Sequence, residues 1–261
     1  MPLENCQFCQ GTGWKLVARP DGPGKFAVVC DCSGGERATR TMDRARIPKR
    51  YEHCDFESYV TDLADGKVWT AQNAQSLKQA KIVATGLVGA YPGSSEKGLL
   101  LMGPSGVGKT HLAVAALKEL LRRGHQGIFC DYRELLKEIQ ASYNPQSEST
   151  EMKILEPIRN AEIVVLDDLG AHRVTDWVED TITSVVTFRC NNRKALIATT
   201  NLPDGDAGSA VVEKSALGRP EYRTTLAERI GPRARSRLFE MCTVVRMPLV
   251  EDYRLRKART F

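Results

Sequence analysis

Gly103-Pro104-Ser105-Gly106-Val107-Gly108-Lys109-Thr110 is the stretch that decides the fold. It follows an apolar run, Gly98-Leu99-Leu100-Leu101-Met102, and precedes an amphipathic stretch that begins at His111. Strand, glycine loop and helix in this order are the context that a phosphate-binding loop needs. The glycines let successive backbone N–H groups curl around phosphate oxygens, and the helix points the positive end of its dipole at the same anion. An ordinary strand-to-helix turn needs neither the Lys-Thr pair nor this spacing, so the stretch predicts binding of a nucleoside triphosphate.

Every residue of this loop is a predicted nucleotide contact, and the set is Gly103, Pro104, Ser105, Gly106, Val107, Gly108, Lys109 and Thr110. The ammonium group of Lys109 is expected to reach the terminal phosphates. The hydroxyl of Thr110 is expected to ligate Mg²⁺.

Length and composition fit one large α/β domain with a small appendage. The chain has 261 residues, of which 42% are hydrophobic and 26% are charged, enough to bury a sizeable core. No apolar run reaches the length of a membrane span, and the start, Met1-Pro2-Leu3-Glu4-Asn5, lacks a basic segment followed by a hydrophobic one. We therefore expect a soluble cytoplasmic protein with no membrane partner.

Basic residues are unevenly distributed along a chain whose net charge is +5. Residues 222–261 contain ten Arg or Lys against four acids, a local charge of +6, and a second basic cluster runs from Arg37 to Arg50. Such clusters suit nucleic acid or nucleotide phosphates, and a solvated basic face is the alternative.

Residues 1–35 differ from the rest of the chain because they contain four of its eight cysteines, Cys6, Cys9, Cys30 and Cys32. In a reducing compartment, close cysteine pairs are interpreted as metal ligands before disulfides. Two pairs on opposite arms of a hairpin can supply four thiolates, so the pattern predicts structural Zn²⁺. The second pair has one intervening residue where zinc sites more often have two, and His53 or Cys54 could replace one ligand. A redox role and unliganded thiols are the alternatives.

The remaining pattern alternates strands and helices, as in a parallel sheet with crossover helices. The predicted strands are 98–102, 127–130, 162–168, 195–200 and 243–247. The predicted helices are 66–91, 110–123, 132–142, 175–192 and 233–240. Residues 144–150 are a predicted loop, and 204–223, rich in Gly, Ser and charge, are expected to form a mobile insertion. The chain divides into a cysteine-rich domain (1–46), a linker with a long helix (47–92) and a nucleotide-binding domain (93–261).

Two carboxylates follow a buried strand. Ile163-Val164-Val165-Leu166 runs directly into Asp167 and Asp168. In a phosphate-loop enzyme the first acid holds Mg²⁺ through water, and the second can polarise the attacking water. An acidic turn is the alternative, but the phosphate loop earlier in the chain favours hydrolysis.

Asn201 ends the next apolar strand, so it is expected at the same carboxyl edge of the sheet as Asp167 and Asp168. There it can orient the water against the terminal phosphate, although Asn before Leu-Pro is also a routine turn residue. Arg233 and Arg237 are four residues apart and share a helix face, whereas Arg235 points elsewhere. An arginine from a neighbouring subunit can accelerate phosphoryl transfer, and a solvated helix charge is the alternative for each.

These residues together resemble an AAA+ ATPase of the DnaC/IstB family of bacterial helicase loaders and transposition helpers. The resemblance covers roughly residues 47–261. It rests on Ile47-Pro48-Lys49-Arg50-Tyr51, Gly103 to Thr110, Asp167-Asp168-Leu169-Gly170, Thr175-Asp176-Trp177, Ala198-Thr199-Thr200-Asn201 and Arg233-Ala234-Arg235-Ser236-Arg237-Leu238. It implies an α/β AAA+ fold with a central parallel five-stranded sheet, flanking helices and ATP with Mg²⁺ as ligands. Only fourteen residues follow Met247, so the C-terminal lid is expected to be reduced.

The resemblance also implies roles. Asn201 is sensor 1, Arg237 is the arginine finger acting across a subunit interface, and Arg254 is sensor 2. A finger in trans requires a head-to-tail interface, which generates rings or spirals.

Two functions follow from the resemblance. In the first, the zinc domain binds a replicative DNA helicase while the AAA+ part binds ATP and single-stranded DNA. In the second, an ATP-dependent transposition helper binds duplex DNA and a transposase. The separate cysteine-bearing arm favours the first. A small-molecule P-loop kinase is disfavoured by the second carboxylate and the arginines.

Overall fold

The computed structural model describes residues 6–10, 12, 14–19, 22–30, 42–61, 70–93, 98–172, 175–205, 211–214 and 220–254. The strands are β1 (Trp14–Ala18), β2 (Lys25–Val29), β3 (Gly98–Met102), β4 (Gly127–Asp131), β5 (Ile163–Asp167), β6 (Ala195–Thr200), β7 (Val211–Lys214), β8 (Pro220–Arg223) and β9 (Cys242–Arg246). The helices are α1 (Ala71–Ala90), α2 (Lys109–Arg122), α3 (Tyr132–Ser142), α4 (Glu151–Asn160), α5 (Asp176–Asn191), α6 (Leu226–Ile230) and α7 (Pro232–Met241), with a 3₁₀ turn at Lys49–Tyr51.

A five-stranded parallel sheet forms the centre of the fold, as the sequence predicts. Its strand order is β4-β5-β6-β3-β9, and every neighbouring pair is parallel. Strand β3, the first of the five along the chain, therefore has later strands on both sides. Ligands of open α/β sheets bind beyond the carboxyl ends of the strands at such a point, and the phosphate loop leaves β3 there.

Helices cover both faces of the sheet. Alternate residues of each strand point to opposite faces, so one strand contributes to two buried clusters. Leu99 and Leu101 of β3 belong to a buried cluster with α1, α2 and part of the segment 42–61. Leu100 and Met102 belong to a second cluster with α3, α4, α5, α6 and α7. Strands β3, β5 and β6 are buried along their whole length, which is typical of a parallel sheet between two helical layers.

An antiparallel hairpin of β1 and β2 lies near the amino-terminal end, with Trp14 opposite Val29 and Ala18 opposite Lys25. It brings Cys9, which precedes β1, close to Cys30, which follows β2. This is the hairpin arrangement that the cysteine spacing predicts.

Two regions differ from the sequence expectation. Helix α4 is not predicted, because Pro157 lies inside it and proline ordinarily ends a helix; burial of Leu155 and Ile158 holds it in place. Within the expected insertion 204–223, β7 and β8 pair antiparallel. A segment rich in Gly and Ser does not predict strands. No helix in the described part of the chain is long and apolar enough to cross a membrane.

Candidate nucleotide-binding site

The phosphate loop has the backbone that its glycines predict. Gly106 and Gly108 have φ angles of +77° and +92°, the left-handed region that residues with a Cβ rarely adopt. A Cβ at Gly108 would also lie 2.5 Å from the ring of Tyr59, whose hydroxyl donates to the carbonyl of Val107 at 3.1 Å. The loop is therefore fixed from behind by a buried aromatic side chain 49 positions earlier.

Lys109 is buried and holds the loop together from inside. Its Nζ donates to the carbonyl oxygens of Gly103 at 2.8 Å and Pro104 at 2.7 Å, and to Oδ1 of Asn201 at 2.5 Å. The ammonium thus lies between the phosphate loop and the end of β6, and its contact with terminal phosphates stays a prediction. Burial lowers the pKa of Lys109 to about 8, although Asp168 and Asp167 act to raise it.

We expect ATP binding to weaken as the pH rises above 8. Because burial lowers the pKa of Lys109 to about 8, roughly one tenth of the amine is protonated at pH 9, and a polyphosphate binds the ammonium form. The affinity measured by calorimetry should therefore fall about tenfold between pH 7 and pH 9. Lys109→Arg, which stays charged, should show no such fall in the binding it retains. An equal affinity of the unaltered protein at both pH values would contradict this prediction.

Asp167 and Thr110 meet beside the phosphate loop. The Thr110 hydroxyl donates to Oδ1 of Asp167 at 2.8 Å, and the Thr199 hydroxyl donates to the same oxygen at 2.7 Å. Asp167 is only 3% exposed, and burial raises its pKa. A hydroxyl and a carboxylate that converge beside a phosphate loop are hard oxygen ligands of the kind that Mg²⁺ uses, so these two residues fit the ion.

Asp168 and Asn201 meet at the mouth of the site. Nδ2 of Asn201 donates to Oδ1 of Asp168 at 2.8 Å, and the side chain of Asp168 is 33% exposed. The backbone of Asp168 has a φ of +58° and its N–H donates to Thr199 Oγ1 at 2.9 Å. This uncommon conformation turns the second carboxylate away from the buried first one. Asn201 therefore bridges Lys109 and Asp168, and its role as sensor 1 stays a prediction.

Arg235 of α7 differs in its surroundings from Arg233 and Arg237. Arg233 and Arg237 are exposed, and Arg237 Nη1 pairs with Glu240 at 2.6 Å. Arg235 instead donates to both carboxylate oxygens of Asp204, at 2.6 and 2.9 Å. Asp204, whose side chain is only 5% exposed, lies three positions after Asn201, so this ion pair fixes α7 to the loop that carries Asn201.

The segment after β9 lies against the phosphate loop. The N–H of Tyr253 donates to the carbonyl of Gly106 at 3.2 Å, and a Cβ at Gly106 would lie 2.0 Å from the carboxyl carbon of Asp252. Arg254 donates to both oxygens of Asp252, at 3.0 and 2.7 Å. Arg254 lowers and Asp252 raises the pKa of Lys109, so both charges lie within electrostatic range of the phosphate position. The assignment of Arg254 as sensor 2 stays a prediction.

Of the four predicted zinc ligands, three come together. The sulfur atoms of Cys6, Cys9 and Cys30 lie within 4.8 Å of one another, and the Cys6 and Cys30 sulfurs are 3.6 Å apart. Cys32 lies outside the described residues. Among the described residues, His53 and Cys54 form a separate group with His111, and the replacement of one cysteine ligand by either stays a prediction. The turn at 51–54 packs on the nucleotide-binding core, far along the chain from the hairpin.

A family model described as IstB-like ATP binding protein matches residues 37–219. The chain belongs to this family. YqaM of Bacillus subtilis (strain 168) is 25% identical over 190 residues, which are 68% of this chain and 55% of YqaM. The replicative helicase loader DnaC of Escherichia coli (strain K12) is 22% identical over 213 residues, 79% of this chain and 82% of DnaC. A crystal structure of the DnaC helicase loader superposes with a TM-score of 0.58 and 28% identity, covering 77% of this chain and all of that one. The AAA+ fold and the DnaC/IstB-like resemblance are thus confirmed for this IstB-like chain.

Local sequence pattern assigns no individual role to three residues that contact this site, Thr199, Tyr51 and Tyr59. Thr199 links Asp167 to the backbone of Asp168, and its signal is a hydroxyl at the end of an otherwise apolar strand. Tyr51 is close enough to Asp167 and Thr110 for both to act on its pKa, which burial raises. Tyr59 carries no local signal, because its partner Val107 lies 48 positions along the chain.

Proposed function

We propose that this protein is an ATP-hydrolysing helicase loader of bacterial DNA replication, working in the cytoplasm. Its domain 1–46 binds Zn²⁺ and the replicative DNA helicase, and residues 47–92 are the linker. Its AAA+ domain, 93–261, binds ATP with Mg²⁺ and single-stranded DNA. The subunits assemble head to tail as a ring or a spiral.

One observation carries the hydrolytic part of the proposal. Lys109, Asn201 and Asp168 form a continuous hydrogen-bonded chain at the carboxyl edge of the sheet, whereas Arg237 lies exposed on α7 and pairs with Glu240. Arg237 is exposed, and its helix α7 is held in place by an ion pair. It is therefore suited to reach the site of the next subunit. The single chain then holds one half of a composite site.

Each residue has a separate task in this proposal. The Lys109 ammonium holds the terminal phosphates, and Thr110 and Asp167 hold Mg²⁺. Asp168 polarises the attacking water, which Asn201 orients. Arg237 of a neighbour and Arg254 of the same chain offset the charge that develops on the transferred phosphoryl group.

The amino-terminal hairpin offers a surface for a protein partner. Trp14 is 54% exposed and Leu16 is 67% exposed, and alternation along β1 places both on one face with Ala18. Phe8, 76% exposed, precedes the strand. Exposed large apolar side chains in so small an element favour a protein interface, which supports helicase binding by this domain.

The decisive experiment is co-elution with the replicative helicase of the same host in the presence of ATP. We expect a stable complex, and expect Leu16→Ser to weaken it because an anchor of the apolar face is lost. Leu249→Ser is the matched control, since Leu249, 82% exposed against 67% for Leu16, is also a surface leucine but lies after β9. If the helicase co-elutes with neither the unaltered protein nor either variant, the helicase assignment is overturned.

We expect Cys9→Ser to remove one bound zinc ion per chain. Cys9 is buried within the cluster of Cys6 and Cys30, and a structural zinc site needs every thiolate. Elemental analysis of purified protein should show the loss, and Cys190→Ser, a half-buried cysteine of α5, should keep the ion. Equal zinc content in the two variants would reject the site.

An IstB-like transposition helper is the second candidate, and the name of the matching family model favours it. The match begins at residue 37, after the cysteine hairpin, so the hairpin lies outside the region that the family model matches. A transposition helper would bind duplex DNA and a transposase. Preference for duplex over single-stranded DNA, with no helicase complex, would select this alternative.

A further inference from the structure

His53, Cys54 and His111 form a cluster of metal-ligating side chains next to the phosphate loop. One ligand atom from each lies within 4.8 Å of the other two. Nε2 of His53 is 3.9 Å from the sulfur of Cys54, and the rings of His53 and His111 are 6.0 Å apart, edge to face. Two ligands around one tetrahedral zinc ion lie between about 3 and 4 Å apart, given metal–ligand bonds of about 2.0 to 2.3 Å. Small side-chain rotations bring the cluster to that spacing.

The backbone around the cluster is already fixed. The hydroxyl of Ser58 donates to the carbonyl of His53 at 2.9 Å and accepts from the N–H of Asp55 at 3.0 Å, which closes the turn that carries His53 and Cys54. Neighbouring residues in an extended strand would point to opposite sides, but this turn directs both side chains towards α2. Because the fold already holds the ligands together, metal binding loses little further conformational entropy.

His111 is oriented by contacts of the kind that surround metal-binding histidines. Its Nε2 lies 2.8 Å from the carbonyl of Asp55 and 3.2 Å from the hydroxyl of Ser58, and its ring packs against Tyr59 at 5.5 Å. Bonds from a histidine to a backbone carbonyl fix the ring and its tautomer in metal sites. His53 is exposed while Cys54 is buried, so the cluster opens to solvent on the His53 side.

We propose that His53, Cys54 and His111 bind a divalent transition-metal ion of the zinc class. Two imidazoles and one thiolate are a donor set that such borderline-soft ions prefer over Mg²⁺ or Ca²⁺. Three protein ligands leave a fourth position for water. The nearby carboxylate of Asp55 is engaged by Lys118 and Arg122, at 3.1 and 2.8 Å.

The position of the site gives the ion a consequence for the nucleotide loop. His111 follows Thr110 directly on α2, and the turn of residues 53–58 leads into Tyr59, which supports Val107 and Gly108. A bound ion would join that turn to the first turn of α2. We therefore expect metal to raise the unfolding temperature, because a ligand that binds only the folded state stabilises it.

Cobalt is the probe for this site. In the full chain carrying Cys6→Ser and Cys9→Ser, which removes the hairpin cluster, we expect one equivalent of Co²⁺ to bind with the visible bands of tetrahedral coordination and one thiolate-to-cobalt charge-transfer band. Cys54→Ser should remove the charge-transfer band. His53→Ala, at an exposed position, should fold normally and weaken Co²⁺ binding by about tenfold or more.

Two further variants keep the experiment decisive if Cys54→Ser fails to fold. His53→Cys supplies a second thiolate, so the charge-transfer intensity should about double, and Cys190→Ser should leave all bands unchanged. Absence of tetrahedral cobalt bands, or bands that neither His53→Ala nor His53→Cys alters, would overturn the proposal and leave the cluster with a packing role. The readout is independent of ATP hydrolysis and of any helicase.

Discussion

Arg237→Ala is expected to lower ATP turnover by about a thousandfold while leaving ATP affinity unchanged. Arg237 is exposed on α7 and touches Glu240 rather than the phosphate loop of its own chain, so its loss leaves the contacts of Lys109 and Asn201 intact. A finger from a neighbouring subunit acts on the charge of the transition state, which explains the split between turnover and binding. Single-turnover hydrolysis and calorimetry measure the two quantities.

Mixing variants tests whether the arginine acts in trans. A Lys109→Ala subunit binds ATP poorly but supplies Arg237, and an Arg237→Ala subunit binds ATP but supplies no finger. We expect the mixture to hydrolyse ATP although each variant alone does not. Arg233→Ala is the matched control, because Arg233 shares the exposed face of α7 and should keep turnover near that of the unaltered protein.

The outcome separates two explanations. If the mixture stays inactive while Lys109→Ala alone abolishes ATP binding, the assignment of the phosphate loop is retained and the assignment of Arg237 as a finger in trans is rejected. If Arg237→Ala turns over ATP normally, Arg237 is a solvated helix charge, and the composite site must be abandoned.

Arg189→Ala is expected to lower the free energy of unfolding by about 3–5 kcal/mol. Arg189 is fully buried in α5. Its Nη1 donates to the carbonyls of Ile158 at 2.7 Å and Ala161 at 3.0 Å, and its Nη2 donates to that of Glu162 at 3.1 Å and also to that of Ala195. One guanidinium thus ties the end of α4 to the starts of β5 and β6. Removing it leaves several buried carbonyls without donors, each costing about 1–3 kcal/mol in isolation.

Thermal and denaturant unfolding measure this effect. Arg189→Lys keeps the charge but not the planar fork of donors. It should therefore lower the free energy of unfolding measurably, but by less than Arg189→Ala does. Arg233→Ala, exposed and on the surface, should change the free energy of unfolding by less than about 0.5 kcal/mol. An Arg189→Ala protein within 1 kcal/mol of the unaltered one, at the scale of surface changes, would refute the structural role.

The sequence predicts the central sheet and the helices on which the site depends. Strands β3 and β6 have the predicted bounds, and β4, β5 and β9 begin and end within one residue of theirs. These strands are continuous apolar runs, which local pattern identifies well. Helix α4 and the pairing of β7 with β8 escape prediction because Pro157, Gly and Ser signal breaks, whereas burial and pairing across the chain decide the outcome.

Arg189 shows the same limit within a helix that the sequence does predict. Phe188-Arg189-Cys190 gives no sign that the middle residue is buried, because arginine is ordinarily on the surface. Its partners come from α4, from Glu162 just before β5, and from β6. Only the packed structure brings those carbonyls to one point.

By itself, the sequence determined the phosphate loop from Gly103 to Thr110 and the carboxylates Asp167 and Asp168, since each is a run of adjacent residues whose chemistry depends on local spacing. The tertiary structure alone decided that Asn201 bridges Lys109 and Asp168, and that Tyr59 supports the loop. It also separated His53 and Cys54 from the cysteine hairpin and placed them beside His111. The physical reason is that hydrogen bonds and ligand distances act through space over a few ångströms, while the residues that make them lie tens of positions apart along the chain.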